Sequence, residues 1–222
     1  GIPLVWAITN LDQLGDSLRD DLLPLSLRSL VLGISASVLA VGAALLLAIA
    51  KRWSAAVWLR SLTFLAGVGY AIPGTVLALA LLLTGAPWQL APLLLLLWGY
   101  SDRFLAVAKG GLDAALERIS PNLDEAATGL GFSWRQVLRR VHLPLLRGPM
   151  TVGLLLVFVD TVKELPLTFA LRPFDFDTLS VRVYQYASDE RLAAALLPAL
   201  MILALGPVAA MALVPSLDQA SS

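Results

Sequence analysis

Long apolar stretches separated by shorter polar segments dominate the pattern of this chain. The hydrocarbon core of a bilayer is about 30 Å thick, and a helix of roughly 20 apolar residues crosses it. Stretches of that length predict spanning helices at about 26–50, 62–83, 90–108, 145–171 and 192–214. Prolines lie inside several of them, which membrane helices tolerate because neighbouring groups satisfy the freed backbone. The pattern therefore predicts an all-α membrane protein.

Composition supports this fold class. Hydrophobic residues make up 58% of the 222 residues, charged residues make up 14%, and the mean hydropathy is +0.80. A soluble domain is less apolar and more highly charged. The formal net charge is zero, so overall charge indicates neither a nucleic-acid nor an acidic partner. The chain has no cysteine, which excludes disulfides and thiolate metal sites within it.

Basic residues are concentrated after the first and third predicted spans. The first of these segments carries Lys51, Arg52 and Arg60. The second, together with the start of the next span, carries Lys109, Arg118, Arg135, Arg139, Arg140 and Arg147. Short loops rich in lysine and arginine favour the cytoplasmic side of a membrane. We therefore predict that the loop at about 109–144 is cytoplasmic and that segment 172–191 faces outward.

Residues 124–144 form a charged, glycine-punctuated island in this loop. Ser120 and Pro121 form an N-cap followed by proline at the first helical position, which predicts the start of a short helix. Gly129 and Gly131 are expected to end it, because glycine readily adopts the left-handed conformation that closes helices. Ser133 with Gln136 matches a capping box and predicts a second helix from about Trp134 to Pro144. The island should therefore be helix, turn and helix.

Two functions of different classes fit that shape. A membrane-tethered helix-turn-helix regulator would place its second helix in a DNA groove and hold phosphates with Arg135, Arg139 and Arg140. However, both ends of the island run into predicted spans, which leaves no linker to reach a duplex. A helix held at the membrane face suits docking to another protein and moving with it as a rigid body.

The island resembles the EAA signature of the membrane subunits of bacterial ABC importers. The matching residues are Glu125-Ala126-Ala127, then Gly131, then Val141-His142-Leu143-Pro144, with valine where isoleucine is usual. The resemblance implies the type I ABC importer fold, with a short coupling helix that docks into an ATP-hydrolysing subunit. By position, the residues implied in ATPase coupling are Glu125, Ala126, Ala127, Gly131, Leu143 and Pro144.

Further stretches resemble the ferric-iron permease branch of this family, namely 65–83, 159–192 and the following LLPAL. Many members of that branch are two fused halves, and the apolar residues 1–8, too short to span, look like the remainder of a preceding helix. The resemblance implies a C-terminal half of an inner-membrane permease that works with a separate ATPase, a periplasmic binding protein, and either its other half or a second copy. The resemblance also implies contact with membrane lipid and no nucleic-acid partner.

That resemblance also implies that the chain has no catalytic residues or cofactor of its own and that ATP binds to the partner subunit. The chain contains no P-loop pattern GxxxxGK[ST], which agrees with this. Thiamine, aminoethylphosphonate, sulfate and polyamine permeases share parts of the sequence pattern, so these substrates remain alternatives to ferric iron.

Charged residues inside the fourth predicted span are the costliest in the chain, because charge at membrane depth persists only when paired or facing a wet cavity. Asp160, Lys163 and Glu164 share one helical face, followed by Pro166. They either line the translocation pathway beside a helix opened at Pro166 or form an interhelical ion pair.

Other polar residues carry weaker signals. Asp102 and Arg103 are expected to be structural, pairing with each other or reaching towards the cytoplasm. Four outward residues offer hard oxygen ligands of the kind ferric iron prefers, although a solvated loop contacting the binding protein is the favoured interpretation: they are Asp175, Asp177, Tyr184 and Tyr186. His142 is the only histidine, so a zinc-type cluster is excluded and we expect it to be part of a helix end.

Overall fold

The computed structural model describes residues 22–54, 56–85 and 90–221, with side chains up to residue 213 except that of residue 60. All regular structure in this described part is helical, which confirms the predicted fold class. The helices are α1 (Leu22–Trp53), α2 (Val57–Val68), α3 (Gly74–Gly85), α4 (Pro92–Glu117), α5 (Pro121–Gly129), α6 (Trp134–Val137), α7 (Leu143–Lys163), α8 (Pro166–Leu171), α9 (Leu179–Ser188) and α10 (Leu192–Ser221). The predicted helical remainder at 1–8 lies outside the described residues.

Three described helices are long and apolar enough to cross a membrane: Leu22–Trp53, Trp134–Lys163 and Leu192–Leu213. A fourth crossing results if the pair α2 and α3 counts as one broken span. The first and fifth predicted spans each lie within one continuous helix, and α10 runs unbroken through Pro198 and Pro207. The third predicted span, 90–108, lies largely in α4, which extends to Glu117 and is not among these candidate crossings.

The second predicted span, 62–83, is not one continuous helix. A short 3₁₀ turn ends at Ala71, Ile72 is extended with φ −78° and ψ 129°, and α3 begins at Gly74. The residue before a proline avoids the helical conformation, and this explains the break before Pro73. Arg103 donates to the freed carbonyl of Ile72 at 2.6 Å. Arg103 therefore satisfies the backbone of a broken helix, a contact that differs from the two expected for it.

Gly69, in the 3₁₀ turn, lies against the backbone of α4. A Cβ at this position would be 2.4 Å from the carbonyl oxygen of Asp102, whereas one at Gly67 would have nothing within 4 Å. We expect Gly69→Ala to destabilise the purified protein by about 1–3 kcal/mol, because backbone must move to admit the methyl group. Thermal unfolding in detergent measures this, with Gly67→Ala as the matched control. Equal midpoints for the two variants would contradict the prediction.

The fourth predicted span, 145–171, is divided in the structure. Helix α7 ends at Lys163, and α8 begins again at Pro166. A proline at the first position of a helix costs no backbone hydrogen bond, and this is where Pro166 lies. The break thus falls directly at Glu164 and Leu165.

The chain divides into two compact units. Among the described residues, one contains 22–36, 73–85, 90–100 and 158–208, and the other contains 37–54, 56–72, 101–157 and 209–221. Within the first unit, Leu22, Leu25 and Leu179 form a buried cluster. Within the second, small side chains at Ala40 and Ala44 are fully buried, as is Leu146. Small residues on helix surfaces allow the close backbone approach that stabilises helix packing in membranes.

Candidate functional site

Helix α5 begins and ends as the sequence predicts, with one exception. The Ser120 hydroxyl accepts from the N–H of Asn122 at 3.3 Å, and Pro121 is the first helical residue. At the other end, the N–H groups of Gly131 and Phe132 donate to the carbonyls of Thr128 and Ala127 at 2.9 and 3.1 Å. With Gly131 at φ +83°, this is a Schellman motif. Gly131 therefore supplies the predicted stop, whereas Gly129 is only the last residue of the helix.

The outer face of α5 is exposed and partly apolar. Glu125 and Ala126 are exposed, and Leu130 just beyond the helix is 77% exposed. Ala127 is buried, and its small side chain lets the helix pack closely within its own unit. Ala127 is therefore not part of the exposed surface. We call the exposed residues Leu123, Glu125, Ala126, Leu130 and Gly131 the outer surface of α5.

The second helix of the island starts as predicted but does not end at Pro144. The side-chain oxygen of Gln136 accepts from the N–H of Ser133 at 2.8 Å and from its hydroxyl at 3.1 Å. A π-helical turn over Leu138–His142 then leads directly into α7. In this turn the N–H of Leu143 bonds to the carbonyl of Leu138, five residues back. This wider turn accommodates a proline without breaking the helix, so the predicted end is wrong.

The continuous helix also weakens the DNA-binding alternative. A recognition helix must be free to enter a groove, but here it runs through half-buried Leu143 and Pro144 into a membrane-length segment ending at Lys163. Two of the arginines considered for phosphate contacts instead lie over aromatic rings: Arg135 is 5.3 Å from the ring centre of Trp134, and Arg140 is 5.2 Å from that of Phe132.

A network that sequence reasoning missed lies behind α5. The Nε of Arg52 donates to Oδ2 of Asp124 at 2.7 Å, and Nε2 of His142 lies 2.8 Å from the other oxygen of that carboxylate. The side chains of Arg52 and Asp124 are 14% and 19% exposed, and that of His142 is fully buried. His142 therefore contributes more than a helix end: its ring contacts the first turn of the candidate coupling helix.

The remaining nitrogens of Arg52 bond to backbone. Its Nη1 donates to the carbonyls of Leu116 and Ile119 at 2.9 and 3.0 Å, and its Nη2 donates to Ile119 and Ser120 at 3.0 and 3.3 Å. The last carbonyls of a helix lack partners within it, and Arg52 supplies donors to the end of α4. One guanidinium group thus joins the end of α1, the end of α4 and the start of α5.

Aromatic side chains extend the network. Trp53 makes edge-to-face contacts with His142, at a centroid distance of 5.6 Å, and with Trp134 at 6.1 Å. Trp53 and Trp134 also line an open, mostly apolar hollow of about 370 Å³, together with Asp124, Thr128 and Val137. The sequence signal that could have indicated this site is a Lys-Arg-Trp run that ends an apolar helix in the same predicted compartment as the chain's only histidine.

The charged residues at the end of α7 have separate partners. Lys163 Nζ lies 2.7 Å from Oδ1 of Asp160 within the same helix, and the lysine side chain is 61% exposed. Glu164 accepts from the N–H of Leu167 at 3.3 Å through its carboxylate, and from the hydroxyls of Thr168 and Ser180 at 2.6 and 3.1 Å through its carbonyl. The Asp160–Lys163 pair thus lies within one helix, and Glu164 stabilises the start of α8.

The segment predicted to face outward, 172–191, is folded around Asp177. Its carboxylate pairs with Arg172, lies 3.6 Å from Arg182 and accepts from Gln185 at 3.3 Å. Tyr184 packs edge-to-face on Phe169 at 5.2 Å, and Tyr186 is buried. Within the described residues, no group of three or more histidine, cysteine, aspartate or glutamate side chains is placed to hold a metal ion. Asp177 and Tyr184 thus make contacts within the fold of this segment, and the iron-ligand alternative stays a prediction.

Comparisons with known proteins agree with the sequence resemblance. A family model described as "Binding-protein-dependent transport system inner membrane component" matches residues 40–220. Over 213 residues the chain is 28% identical to "Fe(3+)-transport system permease protein FbpB 2" of Haemophilus influenzae, an alignment that covers 91% of this chain and 41% of that protein. The chain therefore spans less than half the length of this curated relative.

A solved structure shows the same fold. It is the crystal structure of a bacterial ABC transporter involved in the import of the acidic polysaccharide alginate, with a TM-score of 0.64 and 13% sequence identity. The similarity covers 95% of this chain and 82% of the matched chain. At this identity the match shows the fold alone.

Proposed function

The chain belongs to the family of inner membrane components of binding-protein-dependent transport systems, and we propose that it is the permease part of an ATP-driven importer of ferric iron. The observation that carries the importer proposal is the geometry of α5, a short helix with an exposed outer surface, closed by Gly131 and fixed from behind by Arg52. The 28% identity to a relative named for Fe(3+) transport supports the substrate.

In this proposal a separate subunit binds and hydrolyses ATP and receives the outer surface of α5 at the cytoplasmic face. The chain itself needs no cofactor and performs no chemistry. A periplasmic binding protein delivers substrate at segment 172–191, and the permease is completed by its other half, fused or as a second copy, within the lipid bilayer. ATP binding shifts the equilibrium between the outward-open and inward-open states. The size of this shift is limited by the difference between the ATPase subunit's affinities for the two states.

The break between α7 and α8 is the proposed position of the translocation pathway. Asp160, Lys163 and Glu164 lie there, next to Pro166, and ionisable groups at membrane depth are functional by default. The side chain of Lys163 is 61% exposed, which supports an accessible position for this pair. A cation moving past the break would meet the carboxylates of Asp160 and Glu164.

We expect Asp160→Asn and Glu164→Gln each to lower uptake by the assembled transporter about tenfold or more, since each removes a negative charge but keeps the side-chain size. Uptake into proteoliposomes measures this. Asp113→Asn is the matched control, because Asp113 also pairs with a lysine on its own helix, Lys109, at 2.6 Å. Normal uptake by both pathway variants would exclude the pathway role.

The substrate is tested with the full-length permease, its ATPase subunit and its binding protein in proteoliposomes. Radiolabelled ferric iron, thiamine, aminoethylphosphonate, sulfate and a polyamine are supplied in parallel, with and without ATP. We expect ATP-dependent accumulation of ferric iron. Accumulation of another compound would change the substrate assignment but leave the importer assignment in place. If no compound were taken up in an ATP-dependent way, the importer assignment itself would be contradicted.

A further inference from the structure

Two consecutive residues at the end of α1, Arg52 and Trp53, hold the island from different sides. Adjacent residues on a helix do not face the same way, so their contacts fix the helix end in two directions. Arg52 binds Asp124 on α5, and Trp53 packs on His142 of the π-helical turn and on Trp134 of α6. We call Arg52, Trp53, Asp124 and His142 the clamp.

The clamp connects α5 to the end of α1 without using the covalent path between α5 and α7. That path runs through the glycine turn at Gly131 and the π-helical turn at Leu138–His142, and π turns often mark functional irregularities in helices. Arg52, by contrast, uses three nitrogens on a carboxylate and on three carbonyls while only 14% exposed. Charge-assisted bonds shielded from water are strong and directional.

We infer that Arg52 is a positioning residue that transmits movement of α5 to α1, so that α5 and the end of α1 move as one body when the ATPase subunit pulls on the island. This inference rests on the proposed function, since it takes α5 as the coupling helix. Arg52 is not on the outer surface of α5 and is not expected to contact the ATPase subunit. Its role is to make a displacement of α5 reach the long helix α1.

The test compares Arg52→Ala, Arg52→Lys and the control Lys51→Ala in the full-length permease assembled with its ATPase subunit. Lys51 is the exposed neighbour of Arg52, so its variant removes the same charge from the same helix end. We expect Arg52→Ala to retain the ATPase subunit on co-purification but to transport about tenfold less substrate per ATP hydrolysed, as loss of a typical coupling energy predicts. Arg52→Lys should not rescue, because lysine lacks the planar fork that reaches several acceptors at once.

A distance measurement tests the inference without relying on a damaged variant. This chain contributes no native cysteine, so spin labels at Ser54→Cys and Thr128→Cys report on α1 and α5. We expect the interlabel distance in the otherwise unchanged transporter to be the same without nucleotide and after trapping with ATP and vanadate, and to spread over both shorter and longer values in Arg52→Ala. A distance that changes between the two states would show that α5 moves independently of α1 and would overturn the inference.

The two proposals fail in different ways. If the unaltered permease does not retain the ATPase subunit, the proposed function fails. If it retains the subunit and transports, but Arg52→Ala transports as efficiently per ATP as Lys51→Ala, only the role of Arg52 fails.

Discussion

Glu125→Ala combined with Gly131→Val will abolish ATP-driven uptake by the assembled transporter and release the ATPase subunit. The first change removes the exposed charge from the outer surface of α5. The second places a β-branched residue at φ +83°, where L-residues are strained by about 1–2 kcal/mol and β-branched ones more. The Schellman closure then opens, and Leu130 leaves its exposed position. Co-purification of the ATPase subunit and uptake into proteoliposomes measure the two effects.

Gly129→Ala is the matched control for this prediction. A Cβ would meet nothing within 4 Å at either glycine, but only Gly131 has a positive φ. Alanine favours a helix over glycine by about 1 kcal/mol, so Gly129→Ala should keep α5 intact and leave uptake unchanged. If the double variant kept both its ATPase subunit and its uptake while remaining folded, α5 would not be the coupling element.

The two helices of the island are predictable from sequence because their caps are local. Ser120, Gly131 and Gln136 act on backbone groups within five residues of themselves, so short-range rules suffice to place the start of α5, its stop and the start of α6. The fold class was equally accessible, because apolar length alone predicts spanning helices. The family resemblance depends on the same segment, because its matching residues occur there at the spacing typical of the family.

What the sequence could not show depends on distant partners or on competing local effects. Arg52 and Asp124 are 72 positions apart, and no periodicity connects them. Pro144 was expected to end a helix, but the π-helical turn before it removes the need for its missing N–H. Pro73, by contrast, does interrupt its helix, because the residue before a proline disfavours the helical conformation and Ile72 is extended. Whether a proline ends a helix therefore depends on the hydrogen-bond register of the preceding turn, and this register cannot be read from the sequence.

Gly33→Leu is the second substitution from which we expect a very large effect. A Cβ at Gly33 on α1 would lie 2.8 Å from Cδ2 and 2.9 Å from Cε2 of Phe158, and 3.1 Å from Val162. Membrane helices gain little from apolar burial and depend on close packing at small residues. Leucine here should cost at least about 1–3 kcal/mol through overpacking and leave little permease that is monodisperse in detergent. Size-exclusion profiles and thermal unfolding measure this loss.

Gly42→Leu provides the control, because the same helix carries it and a Cβ there meets nothing within 4 Å. Equal recovery of the two leucine variants would show that the α1 contact with Phe158 is not needed for folding. Gly33→Ala separates folding from movement, since the Phe158 ring can turn to admit one methyl group. Phe158 lies two residues before Asp160 of the proposed pathway. If Gly33→Ala folds but takes up substrate more slowly, the contact between Gly33 and Phe158 is needed for transport. If its uptake is normal, the contact is needed only for stability.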